Sequence, residues 1–158
     1  MVIKIYADGA DLNAILKFDT DERISGVTTN PSLVRKAGVT DYVAFCTDAA
    51  RATGKPISFE VISDDFEEME RQALKLSALG SNVYVKIPIT NTKGECSVPL
   101  IQRLCMQGIK VNVTAVMTGA QIKKVAKVLN GPPAILSIFA GRIADTGIDP
   151  RPFFILAK

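Results

Sequence analysis

The sequence predicts an α/β fold in which parallel strands alternate with crossover helices, and it favours a (β/α)8 TIM barrel over an open doubly wound sheet. Runs rich in β-branched and aromatic residues recur about every 25 residues, and helical patterns lie between most of them. A polar or ionisable residue stands in or just after nearly every run. Because barrel enzymes take their catalytic groups from the carboxyl ends of several strands, this pattern favours the barrel.

The six predicted strands are short, as is usual for parallel sheets buried under helices. They cover residues 2–7, 24–29, 57–62, 83–87, 109–115 and 134–139. No Gly-x-Gly-x-x-Gly sequence or Walker loop follows the first strand, which disfavours the nucleotide-binding versions of the open sheet.

Helices are predicted between most of these strands. They cover residues 11–18, 42–53, 64–79, 97–107 and 118–130, and a further helix begins near residue 149. The clearest is 64–79, whose apolar residues recur at intervals of three and four. In that helix we expect an exposed i,i+4 ion pair between Glu67 and Arg71. Thr118 begins a capping-box pattern that ends at Gln121.

The composition indicates one globular domain over residues 1–158, with 47% apolar residues and a net charge of +3. Basic residues are interleaved with acidic ones, so nucleic-acid binding is not expected. The amino terminus lacks a signal-peptide layout, and no apolar run reaches the ~18 residues of a membrane span, so no membrane association is expected. Three scattered cysteines fit reduced thiols in the cytoplasm.

The chain contains no histidine. This excludes Ser-His-Asp and Cys-His catalysis within the chain and removes the commonest metal ligand, so no metal site is expected. Acid–base chemistry would have to use carboxylates, lysine, tyrosine or water.

Lys86 is the most informative single residue, because it lies in the otherwise apolar strand run 82–89. A buried ammonium is costly unless it is paired or deprotonated, and a neutral amine is a nucleophile toward carbonyl groups. The position therefore indicates Schiff-base chemistry. Two plainer interpretations are an ammonium that reaches solvent at the strand end and a structural ion pair with Glu60.

Six segments, in order, cover nearly the whole chain and together resemble the transaldolase family, above all its short bacterial-type transaldolases and fructose-6-phosphate aldolases. The segments are Tyr6-Ala7-Asp8-Gly9-Ala10, Gly26-Val27-Thr28-Thr29-Asn30-Pro31-Ser32-Leu33, Ser58-Phe59-Glu60-Val61, Val85-Lys86-Ile87-Pro88, Asn112-Val113-Thr114 and Ser137-Ile138-Phe139-Ala140-Gly141-Arg142-Ile143-Ala144-Asp145.

The resemblance implies class I aldolase chemistry on sugar phosphates, without a cofactor or metal. Lys86 would form the Schiff base with the C2 carbonyl of a ketose phosphate. Asp8 would take the proton of the C4 hydroxyl, and Glu60 and Thr114 would hold a water that moves protons.

The resemblance also implies the substrate-binding residues and the assembly. The residues would be Asn30 and Asn112 for donor hydroxyls, Ser137 for the donor end, Phe139 as a wall, and Arg142 for the phosphate. Members of the family form oligomers, so a homo-oligomer is expected.

Several of these residues have a structural alternative. Asp8 could cap the helix at Asp11, and Thr28, Thr29 and Asn30 could cap the turn at Pro31. Asn112 could be a satisfied core amide, and Arg142 could pair with Asp145 on the surface.

The predicted function is transfer of a dihydroxyacetone unit between ketose and aldose phosphates. An acidic residue at Glu60 and a phenylalanine at Phe139 resemble transaldolases, since the aldolases tend to have glutamine and tyrosine there. The alternatives are a fructose-6-phosphate aldolase that releases dihydroxyacetone, and a non-catalytic fragment that binds a sugar phosphate or is completed by a partner chain.

The length departs from the family pattern. A (β/α)8 barrel needs eight strands and at least ~200 residues, whereas six strands are predicted here. The expectation is a truncated barrel domain that lacks strands seven and eight and exposes two strand edges and part of an apolar interior.

Overall fold

The computed structural model describes residues 3–158 and contains one six-stranded parallel sheet whose strand order follows the chain. The strands are β1 Ile5–Asp8, β2 Ile24–Thr28, β3 Ile57–Glu60, β4 Val83–Pro88, β5 Val111–Val116 and β6 Ile135–Ile138. The sheet curls into part of a (β/α)8 barrel, which confirms the predicted fold class. Among the described residues, β1 and β6 are its two edges.

Eight helices occur within residues 3–158. They are α1 Leu12–Thr20, α2 Pro31–Lys36, α3 Tyr42–Arg51, α4 Phe66–Ser77, α5 Val98–Met106, α6 Gly119–Ala126, α7 Ala140–Asp145 and α8 Arg151–Leu156. Five of them begin after a residue whose side chain accepts a hydrogen bond from a backbone N–H of the first turn, and among these Thr118 also forms the predicted capping box. No helix in this part of the chain is long and apolar enough to cross a membrane.

All six predicted strands are present, with ends shifted by a few residues. The first was predicted to begin at Val2, which lies outside the described residues. The sequence did not predict α2 and α7, because each is a single short stretch after a strand with too few residues for a periodic pattern. The predicted pair between Glu67 and Arg71 is wrong, because Arg71 instead contacts Glu68 at 2.6 Å.

The convex face of the sheet forms the apolar core beneath the helices. Alternate strand residues on this face are fully buried, and they include Val27, Ile57, Phe59, Val85, Ile87, Val111 and Val113. Met69, Ala73 and Leu76 of α4 pack into the same cluster, as the periodicity of that helix predicted.

The concave face carries the other half of the alternation. Paired residues of neighbouring parallel strands point to the same side, and register pairs Asp8 with Thr28, Thr28 with Ser58, Glu60 with Lys86, Lys86 with Asn112 and Pro88 with Thr114. The paired residues on the concave face of these strands are therefore largely polar.

Candidate active site

A cleft of about 860 Å³ opens at the carboxyl ends of the strands, on the concave side. Eight of the nine residues predicted for the site line it: Asp8, Asn30, Glu60, Lys86, Thr114, Ser137, Phe139 and Arg142. The ninth, Asn112, is buried and contacts Ser137. Chain topology thus brings residues from six strands to one place, as parallel strands in a barrel require.

Lys86 lies at the centre of this cleft on β4 and is only 8% exposed. Its Nζ donates a hydrogen bond of 2.9 Å to the carbonyl of Thr29 and lies 3.5 Å from Oε2 of Glu60. These two contacts hold the amine at the cleft, with about 10% of the side chain exposed, rather than extended into bulk solvent as the first of the plainer interpretations had it. The predicted ion pair is present, and it holds the amine at the wall of the cleft.

The two carboxylates beside this amine are both shifted toward the protonated form. Burial raises the pKa of Glu60, and the positive charge of Lys86 only partly opposes that effect. Burial likewise raises the pKa of Asp8, again opposed by Lys86. A carboxyl whose pKa is raised can both give and accept a proton closer to neutral pH, which is the property that acid–base catalysis without histidine needs.

Asp8 is free for such a role, because the helix that follows it is capped by another residue. The side chain of Asp11 accepts from the backbone N–H of Ala14 at 2.8 Å, so the interpretation of Asp8 as that cap is wrong. Asp8 is the last residue of β1 and faces the cleft.

A buried hydrogen-bond chain runs beneath the cleft and joins three strands. The hydroxyl of Ser137 donates to Oδ1 of Asn112 at 2.7 Å, and Nδ2 of Asn112 donates to the hydroxyl of Ser58 at 3.1 Å. Asn112 is therefore a satisfied buried amide, as its structural alternative proposed. Ser58 was not predicted, although its position two residues before Glu60 puts it on the same face.

Asn30 both caps α2 and lines the cleft. Its Oδ1 accepts from the backbone N–H of Leu33 at 2.9 Å and so caps α2, while the residue also lines the cleft. Thr29 does not cap this helix, because its hydroxyl donates to the carbonyl of Ser58 at 3.0 Å. The amide nitrogen of Asn30 makes no hydrogen bond within residues 3–158.

Phe139, Arg142 and Thr114 complete the cleft. Phe139 follows β6 as the residue before α7 and is 38% exposed, and Arg142 is the third residue of α7. Arg142 is exposed and, among the described residues, has no ion pair with Asp145, so its guanidinium is free to meet an anion. Thr114 is buried on β5 with its side chain at the cleft.

The part of the chain that the structure describes contains no group of three cysteine, aspartate or glutamate side chains placed to hold a metal ion. Cys46, Cys96 and Cys105 are all free thiols.

Comparison with known proteins gives a consistent result. A family model described as Transaldolase/Fructose-6-phosphate aldolase matches residues 5–152. A "Probable transaldolase" from a Thermoanaerobacter species is 36% identical over 147 residues, which cover 93% of this chain and 64% of that protein. Proteins of the same description from Bdellovibrio bacteriovorus and Carboxydothermus hydrogenoformans are 35% and 39% identical, each with 93% of this chain and 65% of the relative covered.

The chain thus spans just under two thirds of the length of these relatives, while the family model covers nearly all of the chain. The chain belongs to the transaldolase/fructose-6-phosphate aldolase family.

Proposed function

We propose that this protein transfers a dihydroxyacetone unit between a ketose phosphate and an aldose phosphate through a Schiff base on Lys86. The observation that carries the proposal is the position of the Lys86 amine. It lies in the wall of a large cleft, between a carboxylate and a backbone carbonyl, on a side chain of which only 10% is exposed. A carboxylate neighbour can take the proton that the ammonium must lose before it attacks a carbonyl.

In the first half of the reaction, the neutral amine of Lys86 adds to the C2 carbonyl of the ketose phosphate. Protonation of the resulting hydroxyl and loss of water give an iminium ion. Glu60 supplies and recovers these protons, with Thr114 holding the water through which they pass. The raised pKa of Glu60 supports this role.

The iminium then accepts the electron pair of the C3–C4 bond as that bond breaks. Asp8 takes the proton of the C4 hydroxyl, whose oxygen becomes the aldehyde oxygen of the departing aldose phosphate. The remaining three carbons stay on Lys86 as an enamine. Addition of the enamine to a second aldose phosphate, followed by hydrolysis of the imine, completes the transfer.

The remaining cleft residues bind and orient the substrate. The free guanidinium of Arg142 suits a phosphate group through paired donors. The amide nitrogen of Asn30 can donate to a hydroxyl of the donor sugar, and Ser137 and Asn112 hold that end of the site in place. Phe139 provides an apolar wall.

A second candidate function is direct aldolase cleavage with release of dihydroxyacetone. It differs only in whether water reaches the enamine before a second aldose does. Glu60 and Phe139 favour transfer, because transaldolases resemble this chain in having an acidic residue at the first position, whereas the aldolases tend to have glutamine and tyrosine at the two positions. A third candidate is a binder of sugar phosphates that forms no covalent bond.

The experiment that tests the proposal is reductive trapping with fructose 6-phosphate and borohydride, followed by intact mass and peptide mapping. We expect an adduct of dihydroxyacetone mass on Lys86 in the wild type and none in Lys86→Arg. Lys110→Arg is the matched control, because the Lys110 amine donates to the carbonyl of Ser81 at 2.6 Å, away from the cleft. A folded wild type without an adduct would refute the Schiff-base proposal and leave the binder.

A companion assay separates transfer from release. Glu60→Gln is expected to shift product from transferred dihydroxyacetone toward free dihydroxyacetone, when an aldose acceptor is supplied and both products are quantified. An unchanged product ratio would count against Glu60 as the residue that distinguishes the two reactions.

A further inference from the structure

At the end of β3, the backbone N–H and C=O groups of Glu60 have no partner in a neighbouring strand within residues 3–158. The N–H and C=O groups of Ser58 and Glu60 point toward β2, because the intervening groups bond toward β4, as Val61 does to the carbonyl of Lys86 at 3.1 Å. The last bond between β2 and β3 joins the N–H of Thr29 to the carbonyl of Ser58 at 3.0 Å. Beyond it the chain of β2 turns into α2, so no strand remains beside Glu60.

The hydroxyl of Tyr42 bonds to these two backbone groups where β2 no longer runs beside β3. It accepts a hydrogen bond of 3.1 Å from the N–H of Glu60 and donates one of 2.8 Å to the carbonyl of the same residue. Both backbone groups, which would otherwise be left unpaired, are satisfied by one side chain. Tyr42 is the first residue of α3, and its ring packs against the apolar core.

The backbone and the hydroxyl of Tyr42 are both held in place. Asp41 caps α3 by accepting a hydrogen bond from the N–H of Ala44 at 3.0 Å. This cap fixes the backbone position of Tyr42, the first residue of the helix. Burial raises the pKa of the Tyr42 hydroxyl above its usual value, so at neutral pH the hydroxyl keeps the proton that it donates to Glu60. The hydroxyl therefore remains both a donor and an acceptor.

We propose that Tyr42 is a positioning residue, which fixes the last residue of β3 so that the Glu60 carboxylate stays 3.5 Å from the amine of Lys86. The inference deepens the proposed function and rests on it, because it assigns how the proton-transferring carboxylate is held. Strand ends fray when their backbone groups are unpaired, and small displacements of a catalytic group cost rate steeply.

The structural part of the proposal is tested without any substrate, by hydrogen exchange at single amides followed by NMR. In the wild type we expect the Glu60 amide to be protected although no strand pairs with it. In Tyr42→Phe the Glu60 amide is expected to exchange about tenfold faster, because one hydrogen bond is lost, while the Val61 amide is unchanged. Rapid exchange of Glu60 in the wild type would overturn the proposal, whether or not the variant folds.

The functional part is tested by the rate of borohydride trapping with fructose 6-phosphate at several pH values. Tyr42→Phe is expected to lower the maximal rate of imine formation about tenfold to a hundredfold, with little change in the concentration for half-maximal rate and with a displaced pH profile. Tyr84→Phe is the matched control, since it removes a hydroxyl from β4 that makes no hydrogen bond within residues 3–158.

The outcomes distinguish the two proposals. A wild type that forms no adduct refutes the Schiff-base function, while the amide exchange still decides whether Tyr42 holds Glu60. An adduct that forms equally fast, with the same pH profile, in the wild type and in folded Tyr42→Phe would overturn the positioning role and leave the proposed function intact.

Discussion

On the convex face of the sheet, Ile57 and Phe59 of β3 are completely buried against apolar helix residues. One residue along the same strand, on the concave face, Ser58 and Glu60 are held by hydrogen bonds and an ion pair. The same four-residue strand therefore takes part in two kinds of interior. One is apolar and non-directional, and the other is polar and depends on particular partners.

The apolar face of the sheet stabilises the fold, whereas the polar face holds the side chains of the candidate site. Burial of apolar area is favourable with any partner of suitable shape. A buried polar group is tolerated only when its own partner is in place, so each one on the concave face needs a specific neighbour. Substitutions on the two faces should therefore affect different measurements.

The largest effect on stability is expected on the convex face. Phe59→Ala removes a fully buried ring and leaves a cavity, which should lower the free energy of unfolding by about 3–5 kcal/mol. Ser58→Ala, on the concave face, should cost less, about 1–3 kcal/mol, because it leaves the buried amide of Asn112 without its acceptor. Urea unfolding of both variants measures the difference. Equal losses would show that the two faces do not divide in this way.

A smaller effect, on binding rather than folding, is expected at the mouth of the concave face. Arg142→Ala should raise the fructose 6-phosphate concentration for half-maximal trapping about tenfold to a hundredfold, the value of a charge-assisted hydrogen bond. Trapping with unphosphorylated fructose should not change. Arg35→Ala is the control, because Arg35 is exposed on α2 and does not line the cleft. Equal sensitivity of the two sugars would remove Arg142 from the phosphate site.

The sequence predicted the two faces to different degrees. The apolar alternation and the strand order could be predicted, because apolar residues stand two positions apart within a strand, as Ile57 and Phe59 do. The polar residues could be predicted as a set, because they lie at strand ends. Their partners could not, because the contacts of Ser58 with Asn112 join residues 54 positions apart. Such contacts depend on the curvature and register of the sheet.

The two hydrogen bonds between the Tyr42 hydroxyl and the backbone of Glu60 could not be predicted from the sequence for a related reason. A tyrosine at the first position of a predicted helix is typical of an ordinary core residue. Nothing in the neighbouring sequence indicates that its hydroxyl bonds to the backbone of a strand 18 positions away. Pro31 was the one local indication that β2 ends before it reaches Glu60. It has no N–H to donate to a neighbouring strand, and it is the first residue of α2.

The contribution of the partly buried Glu60 carboxyl to stability should depend on pH. Burial raises the folded-state pKa of Glu60 above its unfolded value of about 4.3, so the folded state binds more protons between the two values. The contribution of Glu60 to stability is therefore fully present below the unfolded pKa and is lost as pH rises through the folded pKa. The free energy of unfolding of the wild type, minus that of Glu60→Gln, should fall as pH rises through this window.

Glu68 on the solvent side of α4 provides the control of opposite sign. Its hydrogen bond with Arg71 lowers the pKa of Glu68, so its contribution is present above the unfolded pKa and is lost as pH falls through the folded pKa. Urea unfolding of Glu68→Gln across the same pH range should give a difference that rises with pH. Two differences of the same sign would contradict the assignment of Glu60 to a desolvated interior.

The smallest effect is expected at Ala115, where the alternation between the two faces breaks. The register between β5 and β6 shifts between Val113 and Val116, and Ala115 has a φ of 60°, in the left-handed region. Strict alternation would put Val116 on the face of Thr114, but this bulge instead returns Val116 to the apolar core. The bulge thus ends the polar row directly after Thr114, at the rim of the cleft.

A left-handed conformation costs alanine about 1–2 kcal/mol and costs glycine almost nothing, whereas glycine loses about 0.5–1 kcal/mol more entropy on folding. Ala115→Gly should therefore raise the free energy of unfolding by about 0.5–1 kcal/mol. Ala44→Gly, at an exposed helical position in α3, should lower it by about the same amount. If both substitutions destabilise equally in urea unfolding, Ala115 is not held in a left-handed bulge, and another feature must turn β5 from the polar face to the core.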